Sequence, residues 1–260
     1  MNRSSRSAAV AGAVVAGVLA CAGTPAQARD GALWGTAALA PGREGALWGV
    51  ATIAPGREGI VEVAGVTEAG PGATLTLTAP RGTRVTGTPL DASGYRGSVT
   101  ADGRSGSYTV TGDSAARSEP DRTFPFVLAV AADAVPGTRL RDCALRVTDA
   151  RGLRRAAGRC AVTVGLAAPT LTRPLSGVPL GTRPEIAGTA HPGARVTVRD
   201  KDEREACATT AAPDGTWTCT PGAALPPGAN RLQAVAALNG VNAMSEQIDI
   251  AVATEATAGQ

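Results

Sequence analysis

Aromatic residues, lysine and histidine are all scarce in this sequence, and each shortage narrows what the chain can be. Aromatic residues make up 3% of the 260 residues, so the cores must be built from Val, Leu and Ala. Such cores are thin, and small domains with thin cores often need covalent cross-links. Lys201 is the only lysine, and the net charge is close to balance at +3. Helical periodicity is rare while Gly, Pro and Thr are plentiful, which favours many short strands.

The single histidine and the missing motifs argue against an enzyme. His191 lies in an Ala-His-Pro-Gly turn without a neighbouring nucleophile, whereas a catalytic triad needs a base, a nucleophile and an orienting group. The sequence contains no GxSxG, HExxH or P-loop motif. Gly112-Asp113-Ser114 is similar to an esterase nucleophile motif, but it lies in a polar loop without the strand and helix that would present the serine. We predict a non-enzymatic protein with no catalytic residue and no cofactor.

Two sets of residues raise the question of a metal site, and neither has the right pattern. The loop at 200–205 alternates carboxylates with cations, which indicates a solvated hairpin tip rather than converging calcium ligands. A zinc site built from four cysteines needs CxxC-like spacing, which is missing. We therefore predict no bound metal. The carboxylates weighed for calcium are Asp200, Asp202, Glu203 and Glu205.

The N-terminus has the pattern of a signal peptide. Two arginines precede an apolar run at residues 8–20, which is too short for a comfortable membrane span. Ala26-Gln27-Ala28 supplies a signal-peptidase site, so residues 1–28 are expected to be removed. A rival site loosely resembles a lipobox and would leave Cys21 as a lipid anchor. We expect a secreted, extracellular protein without an integral membrane span after cleavage.

Four cysteines remain after that cleavage, an even number that fits an oxidising compartment. Cys143 and Cys160 flank an Asp-Ala-Arg-Gly turn, and Cys207 and Cys219 flank a Pro-Asp-Gly turn. Of the three possible pairings, this spacing favours one bridge within each pair. Each bridge is expected to face across one hairpin and to contribute roughly 3 kcal/mol by closing a short loop.

A direct repeat stands near the start of the expected mature chain. Residues 31–44 recur as residues 45–58, and each copy predicts one strand followed by a type II turn of sequence Ala-Pro-Gly. One hypothesis is a duplication whose second copy opens the first domain, while the first copy lies loose or pairs at an edge. The other is a surface on which Trp34 and Trp48 grip a sugar or a protein. Two copies are too few for a solenoid.

Residues 46–165 predict one β domain of about seven strands separated by Gly, Pro and Asp clusters, a pattern typical of a sandwich. The segment at 69–83 resembles repeat domains of Ig-like fold in bacterial surface proteins. The disulfide hairpin of this domain is rich in arginine, so its face could attract anionic wall polymers or acidic partners. It lacks the interleaved aromatics and the motif of a nucleic-acid binder. The arginines are Arg139, Arg141, Arg146, Arg151, Arg154, Arg155 and Arg159.

Residues 169–253 carry a more extensive resemblance. The run Pro184-Glu185-Ile186-Ala187-Gly188-Thr189-Ala190-His191-Pro192-Gly193-Ala194-Arg195-Val196-Thr197-Val198, the later Asp214-Gly215-Thr216-Trp217, and the strand from Gly228 together look like a bacterial Ig-like domain. The family pattern has no cysteines where this chain has Cys207 and Cys219. The resemblance implies a sandwich used as a spacer, stalk or adhesion module outside the cell, and it implies no catalytic residue.

These observations predict an all-β chain of two tandem Ig-like antiparallel β-sandwiches after a signal peptide. The expected segments are a signal peptide (1–28), the first repeat copy (29–45), one sandwich (46–165), a linker (166–168), a second sandwich (169–253) and a polar tail (254–260). We expect a structural or adhesive interaction module. The alternative is an accessory protein that binds carbohydrate or cell wall. Candidate partners are a wall polymer, a polysaccharide or a protein, and candidate contact residues are Trp34, Trp48, Arg151, Arg154 and Arg155.

Overall fold

The computed structural model describes residues 46–66, 70–112, 122–177 and 179–253, and all regular elements in these ranges are β-strands. The predicted all-β class is therefore confirmed for this part of the chain. Segments such as Thr74–Thr78 form strands because alternation puts one row of side chains in a core and the other towards solvent. The expected signal peptide and first repeat copy lie outside the described residues, as does the polar tail at 254–260.

Ten strands from the first part of the chain form one continuous sheet, here called the first sheet. They are β1 (Leu47–Ile53), β2 (Glu58–Ala64), β3 (Thr74–Thr78), β4 (Thr83–Gly87), β5 (Tyr95–Val99), β6 (Ser105–Val110), β7 (Phe124–Val130), β8 (Arg139–Leu140), β9 (Ala144–Thr148) and β10 (Arg154–Val164). Their spatial order is β4-β7-β2-β1-β10-β9-β3-β6-β5, and β8 pairs with β10.

The first sheet folds over on itself around one core. Near its two ends, the Val85 N–H in β4 donates a 2.7 Å hydrogen bond to the Gly103 carbonyl just before β6. Buried side chains from both halves, such as Leu77 and Phe126, belong to a single cluster. The few aromatic residues are concentrated there, with the rings of Tyr108 and Phe126 packed edge to face at 5.1 Å. The result is a β-sandwich whose thin aliphatic core is thickened at one place by aromatics.

The first described strand of the first sheet lies in the second repeat copy. β1 pairs antiparallel with β2 but parallel with β10, where Leu47 lies opposite Gly158. The prediction of purely antiparallel sandwiches is therefore wrong at this pairing. Parallel strands need a long crossover connection, so no turn signal in the sequence marks them as neighbours.

Nine further strands surround a second core. They are β11 (Thr170–Arg173), β12 (Pro179–Leu180), β13 (Ile186–Thr189), β14 (Arg195–Arg199), β15 (Glu205–Thr210), β16 (Thr216–Cys219), β17 (Gly228–Leu238), β18 (Val241–Met244) and β19 (Ile248–Val252). One sheet has the order β11-β13-β16, and the other has the order β12-β19-β17-β14-β15 with β18 paired to β17. The short pairing of β12 with β19 is also parallel, a second departure from the antiparallel prediction.

The second core is built from side chains of both these sheets. Trp217 from β16 and Leu232 from β17 are among its buried members. Leu166 is also buried in it, although residues 166–168 were expected to be a linker. Val164 belongs to the first core and Leu166 to the second, so only one residue separates the two cores along the chain.

Candidate interaction surface

Three exposed arginines lie on the outer face of the β9–β10 hairpin, and we call them the basic face: Arg146, Arg154 and Arg159. Arg146 stands on β9, whose neighbouring positions Leu145 and Val147 are buried in the first core. Strand alternation therefore turns Arg146 outward. Within the described ranges, none of the three guanidinium groups makes an ion pair, so their charges are available to a partner.

Trp48 extends this surface onto β1. The parallel register places Trp48 beside Arg159, and their neighbours Leu47 and Cys160 are buried, so both side chains are on the outer face. Trp48 is half-buried rather than fully exposed. An indole next to a guanidinium offers a partner both a flat apolar contact and a positive charge. Trp34, the other tryptophan of the repeat, lies outside the described residues.

Two open depressions lie along the strands of the β9–β10 hairpin. One, of about 370 Å³, lies on the outer face between Thr76 of β3, Arg146 of β9 and Arg154 of β10. The other, of about 630 Å³, lies beside the first disulfide and is lined by Arg141 and Arg159 among others. Ala144 and Gly158 line both depressions, because small side chains there leave the backbone uncovered. The surface can therefore receive an extended chain better than it can enclose a small molecule.

Asp149 organises the tip of the hairpin. Its Oδ1 accepts 2.9 Å hydrogen bonds from the backbone N–H groups of Arg151 and Leu153. Its Oδ2 accepts from Nε of Arg155 at 2.9 Å and from Nη2 of the same side chain at 2.6 Å. These hydrogen bonds hold the pKa of the Asp149 carboxyl below its ordinary value. The Leu153 N–H has the largest effect, and the Arg155 guanidinium and the Arg151 N–H have smaller ones.

The three arginines predicted as contact residues therefore have different surroundings. Arg154 lines the outer depression beside Arg146. Arg155 forms an ion pair with Asp149 and so stabilises the turn. Arg151 is exposed at the tip and also lines a separate depression next to Asp149. What the sequence did not indicate is the proximity of Trp48 to Arg159, because it depends on a parallel pairing.

Both predicted disulfides are present, and one has an unexpected position. Cys143 and Cys160 face each other at the open end of the β9–β10 hairpin, with Cα atoms 5.2 Å apart. Cys207 and Cys219 are 6.0 Å apart, Cα to Cα, but β15 pairs with β14 whereas β16 pairs with β13. The second bridge therefore joins two sheets, and its predicted place across one hairpin is wrong.

The reason is visible at the turn between β15 and β16. The Ala212 N–H donates to the Thr216 carbonyl at 2.8 Å, which closes a local turn. Beyond that bond the two strands separate and join different sheets, so the turn is a corner between the layers of a sandwich. Turn residues predict a reversal of the chain in both cases, and only the long-range pairing distinguishes a corner from a hairpin.

Most of the residues weighed for chemistry lie in turns, whereas Glu205 begins β15. His191 Nδ1 lies 2.9 Å from the Pro192 carbonyl oxygen within its own turn. Asp200 is buried and its Oδ1 accepts 2.9 Å hydrogen bonds from the backbone N–H groups of Asp202 and Arg204. Lys201 and Arg204 lower the pKa of the Asp202 carboxyl. Within the described ranges no group of three or more His, Cys, Asp or Glu is placed to hold a metal ion. Asp113 and Ser114 lie outside those ranges.

Comparison with known proteins gives structural similarity without a family. No family model matches the sequence, and no curated protein matches it. Among solved structures, the BSP domain of a biofilm-associated protein is 17% identical to this chain, with a TM-score of 0.27. The match covers 82% of this chain and 30% of the biofilm protein's chain. BcpA, the major pilin subunit of Bacillus cereus, is 12% identical over 77% of this chain and 62% of its own, with a TM-score of 0.31.

A third similar structure covers less of this chain. The third cohesin ScaC of Acetivibrio cellulolyticus, solved with the ScaB dockerin, is 14% identical over 45% of this chain and 98% of its own, with a TM-score of 0.33. The chain spans less than two thirds of the length of the biofilm and pilin structures. TM-scores this low carry no argument about the fold or the function of this chain. The described part of the chain contains no helical segment with the length and hydropathy of a membrane span.

Proposed function

We propose that the protein is an exported, non-enzymatic interaction module of two Ig-like sandwiches, which works outside the cell in a structural or adhesive role. Its two disulfides support export, because such bonds persist in oxidising compartments. Its depressions are open surface features along a hairpin, which suits contact with a polymer or protein better than enclosure of a substrate.

The basic face is the observation that carries this proposal. Arg146, Arg154 and Arg159 stand without ion-pair partners in the described structure, on a hairpin held by a disulfide at one end and by Asp149 at the other. The hairpin backbone that carries these guanidinium groups is already held in place, so binding does not have to order it, and the groups can form paired hydrogen bonds with carboxylates or phosphates. The proposed partner is an anionic wall polymer or an acidic protein surface.

Trp48 supports the second candidate, an accessory protein that binds carbohydrate or cell wall. An exposed aromatic ring can pack on the face of a sugar whether or not the sugar is charged, and arginines beside it add paired hydrogen bonds only where the polymer carries negative groups. Trp48 lies next to Arg159 on the face described above. In this hypothesis the tryptophan matters for neutral polysaccharide, whereas in the first it does not.

A retention assay separates the two candidates. Mature protein is incubated with peptidoglycan that carries anionic polymer, with peptidoglycan stripped of it, and with neutral polysaccharide, and the bound fraction is measured. The leading proposal expects retention on the anionic material only, and loss of it in the variant Arg146→Ala/Arg154→Ala/Arg159→Ala. A Trp34→Ala/Trp48→Ala variant that loses binding to neutral polysaccharide supports the second candidate instead.

The control keeps the net charge of the triple variant. Arg84, Arg96 and Arg195 are also exposed, and they stand on β4, β5 and β14, away from the β9–β10 hairpin. Arg84→Ala/Arg96→Ala/Arg195→Ala removes the same three charges from other places. Equal loss of retention in both variants would show that overall charge, rather than the basic face, drives binding, and would contradict the proposal.

A further inference from the structure

The sequence contains a second copy of one strand of the first sheet. β1 and the turn after it come from residues 45–58, and residues 31–44 repeat that segment fourteen residues upstream. The burial pattern of β1 shows which of its positions face the core: Leu47, Gly49, Ala51 and Ile53 are buried and alternate with the outer positions. The first copy has Leu33, Gly35, Ala37 and Leu39 at these four positions, so three are identical and one is a conservative change.

The glycine is the most demanding of these matches. A Cβ atom at Gly49 would stand 2.9 Å from Cγ1 of Val61 and 3.1 Å from the Glu62 carbonyl oxygen, so only glycine fits without movement of β2. The first copy supplies Gly35 at the same position. The two copies thus agree at the place where most residue types would be excluded, and not merely in their apolar character.

The turn after the strand is repeated as well. In the structure, the Arg57 N–H donates to the Ala54 carbonyl at 3.2 Å, and Gly56 has a φ of +67°. Pro55 at the second turn position and glycine at the third are the residues that a type II turn requires. The first copy repeats all four residues as Ala40-Pro41-Gly42-Arg43.

We propose that residues 33–39 are an alternative β1, able to occupy the position between β2 and β10 when Leu47–Ile53 leave it. The occupant comes from the same chain, because each molecule has two strand segments and one such position. No vacancy is therefore left for a neighbour to fill. The tryptophan at the outer position is also repeated, so Trp34 would take the place of Trp48 beside Arg159 and keep the binding surface intact.

The structure and sequence also explain why the second copy is the one observed. A four-residue turn joins the second copy directly to β2. The first copy would be joined to β2 by a loop of residues 40–57, and closing this longer loop costs more entropy. The second copy carries Val50, Thr52 and Ile53 where the first has Thr36, Ala38 and Leu39, so it has more β-branched residues. The alternative strand is therefore the minor arrangement.

Matched aspartate variants test the exchange in the mature chain. Leu47 is 2% exposed, so Leu47→Asp puts a carboxylate into the core whenever the second copy occupies the position. We expect Leu33→Asp to have the same stability as the wild type. Leu47→Asp should keep a cooperative unfolding transition of the first sheet, because the first copy replaces the second. The double variant should lose that transition. Hydrogen exchange supplies the direct readout. Protection should move from residues 47–53 to 33–39 in Leu47→Asp, with amide exchange at 33–39 slowed at least tenfold.

Two deletions test the same idea without a charge in the core. Removal of residues 31–44 leaves only the second copy, and removal of 45–58 joins the first copy directly to β2. Both are expected to fold with the remaining copy protected from exchange between β2 and β10. The proposal is overturned if only the first deletion folds, if Leu47→Asp and the double variant unfold alike, or if protection does not move. A Leu47→Asp protein that forms dimers by light scattering would show exchange between chains and would also overturn it.

Discussion

Cys207 and Cys219 connect the two sheets that enclose the second core, with their Cα atoms 6.0 Å apart. Cys207 is itself buried in that core and Cys219 packs against it. A bridge between layers prevents the sheets from separating, whereas a bridge within a hairpin ties together strands that are already hydrogen-bonded. The bond therefore holds the two layers together at the edge of the second core.

We expect removal of this bridge to destabilise the second core. Cys207→Ala/Cys219→Ala should lose about 3 kcal/mol of the free energy of unfolding, the size expected for a short closed loop. Urea denaturation under non-reducing conditions measures the loss, with Cys143→Ala/Cys160→Ala as the matched pair in the first sheet. An unchanged urea midpoint, or peptide mapping that finds the cysteines crossed between the pairs, would contradict this part of the structure.

The hydroxyl of Tyr108 links two separate segments in the first core. It donates a 2.6 Å hydrogen bond to the Pro125 carbonyl and accepts a 3.0 Å bond from the Leu90 N–H, and burial raises its pKa. Tyr108→Phe keeps the ring but leaves both backbone groups without this partner, so it should cost about 1–3 kcal/mol. Ser98→Ala, which removes an exposed hydroxyl from β5, is the control and should change stability by less than about 0.5 kcal/mol. Equal effects in thermal denaturation would argue against the buried link.

Asp149 should make the hairpin tip sensitive to acid. Its pKa lies below the ordinary value of 3.8, so its hydrogen bonds are fully present above that value and are lost as the pH falls through the lowered pKa. The Leu153 amide resonance, followed by NMR, should therefore titrate with a midpoint below 3.8. Asp149→Asn should abolish that titration, while Asp133→Asn on another loop should leave it unchanged. A midpoint at or above the ordinary value would contradict the assigned contacts.

Gly188 marks the tightest approach in the second core. A Cβ atom there would collide with the Thr170 carbonyl oxygen of β11 and would stand 2.7 Å from Cζ2 of Trp217. Gly188→Ala should therefore destabilise the protein by about 1–3 kcal/mol, as overpacking does. Gly181→Ala is the control, because nothing lies within 4 Å of a Cβ atom at Gly181. The two variants should differ clearly in urea denaturation, and identical midpoints would show that β11 and Trp217 are not packed this closely.

Local patterns predicted a large part of this structure. The alternation in segments such as Thr74–Thr78 and Phe124–Val130 predicted their strands, and cysteine spacing predicted both disulfide pairings. These features depend on residues close together in the sequence or on strong turn chemistry. A strand was also expected in the second repeat copy, and β1 lies there.

Long-range pairing could not be predicted in the same way. The parallel neighbours β1 and β10 are joined by no turn, so the position of Trp48 beside Arg159 had no sequence signal. The corner at Ala212 has the same turn residues as a hairpin, and only the assembled sheets show that its strands separate. Among the candidate arginines, charge alone could not distinguish Arg154 on the open surface from Arg155 bound to Asp149.

The most direct test of the basic face is the salt dependence of binding to an immobilised polyanion. Surface plasmon resonance of mature wild-type protein should give an affinity that falls steeply between low and physiological ionic strength, because exposed charges are screened. The variant Arg146→Ala/Arg154→Ala/Arg159→Ala should bind at least tenfold more weakly at low salt, whereas Arg84→Ala/Arg96→Ala/Arg195→Ala should stay within about twofold of the wild type. Equal affinities for the two variants, or binding that does not respond to salt, would contradict an interaction through this face.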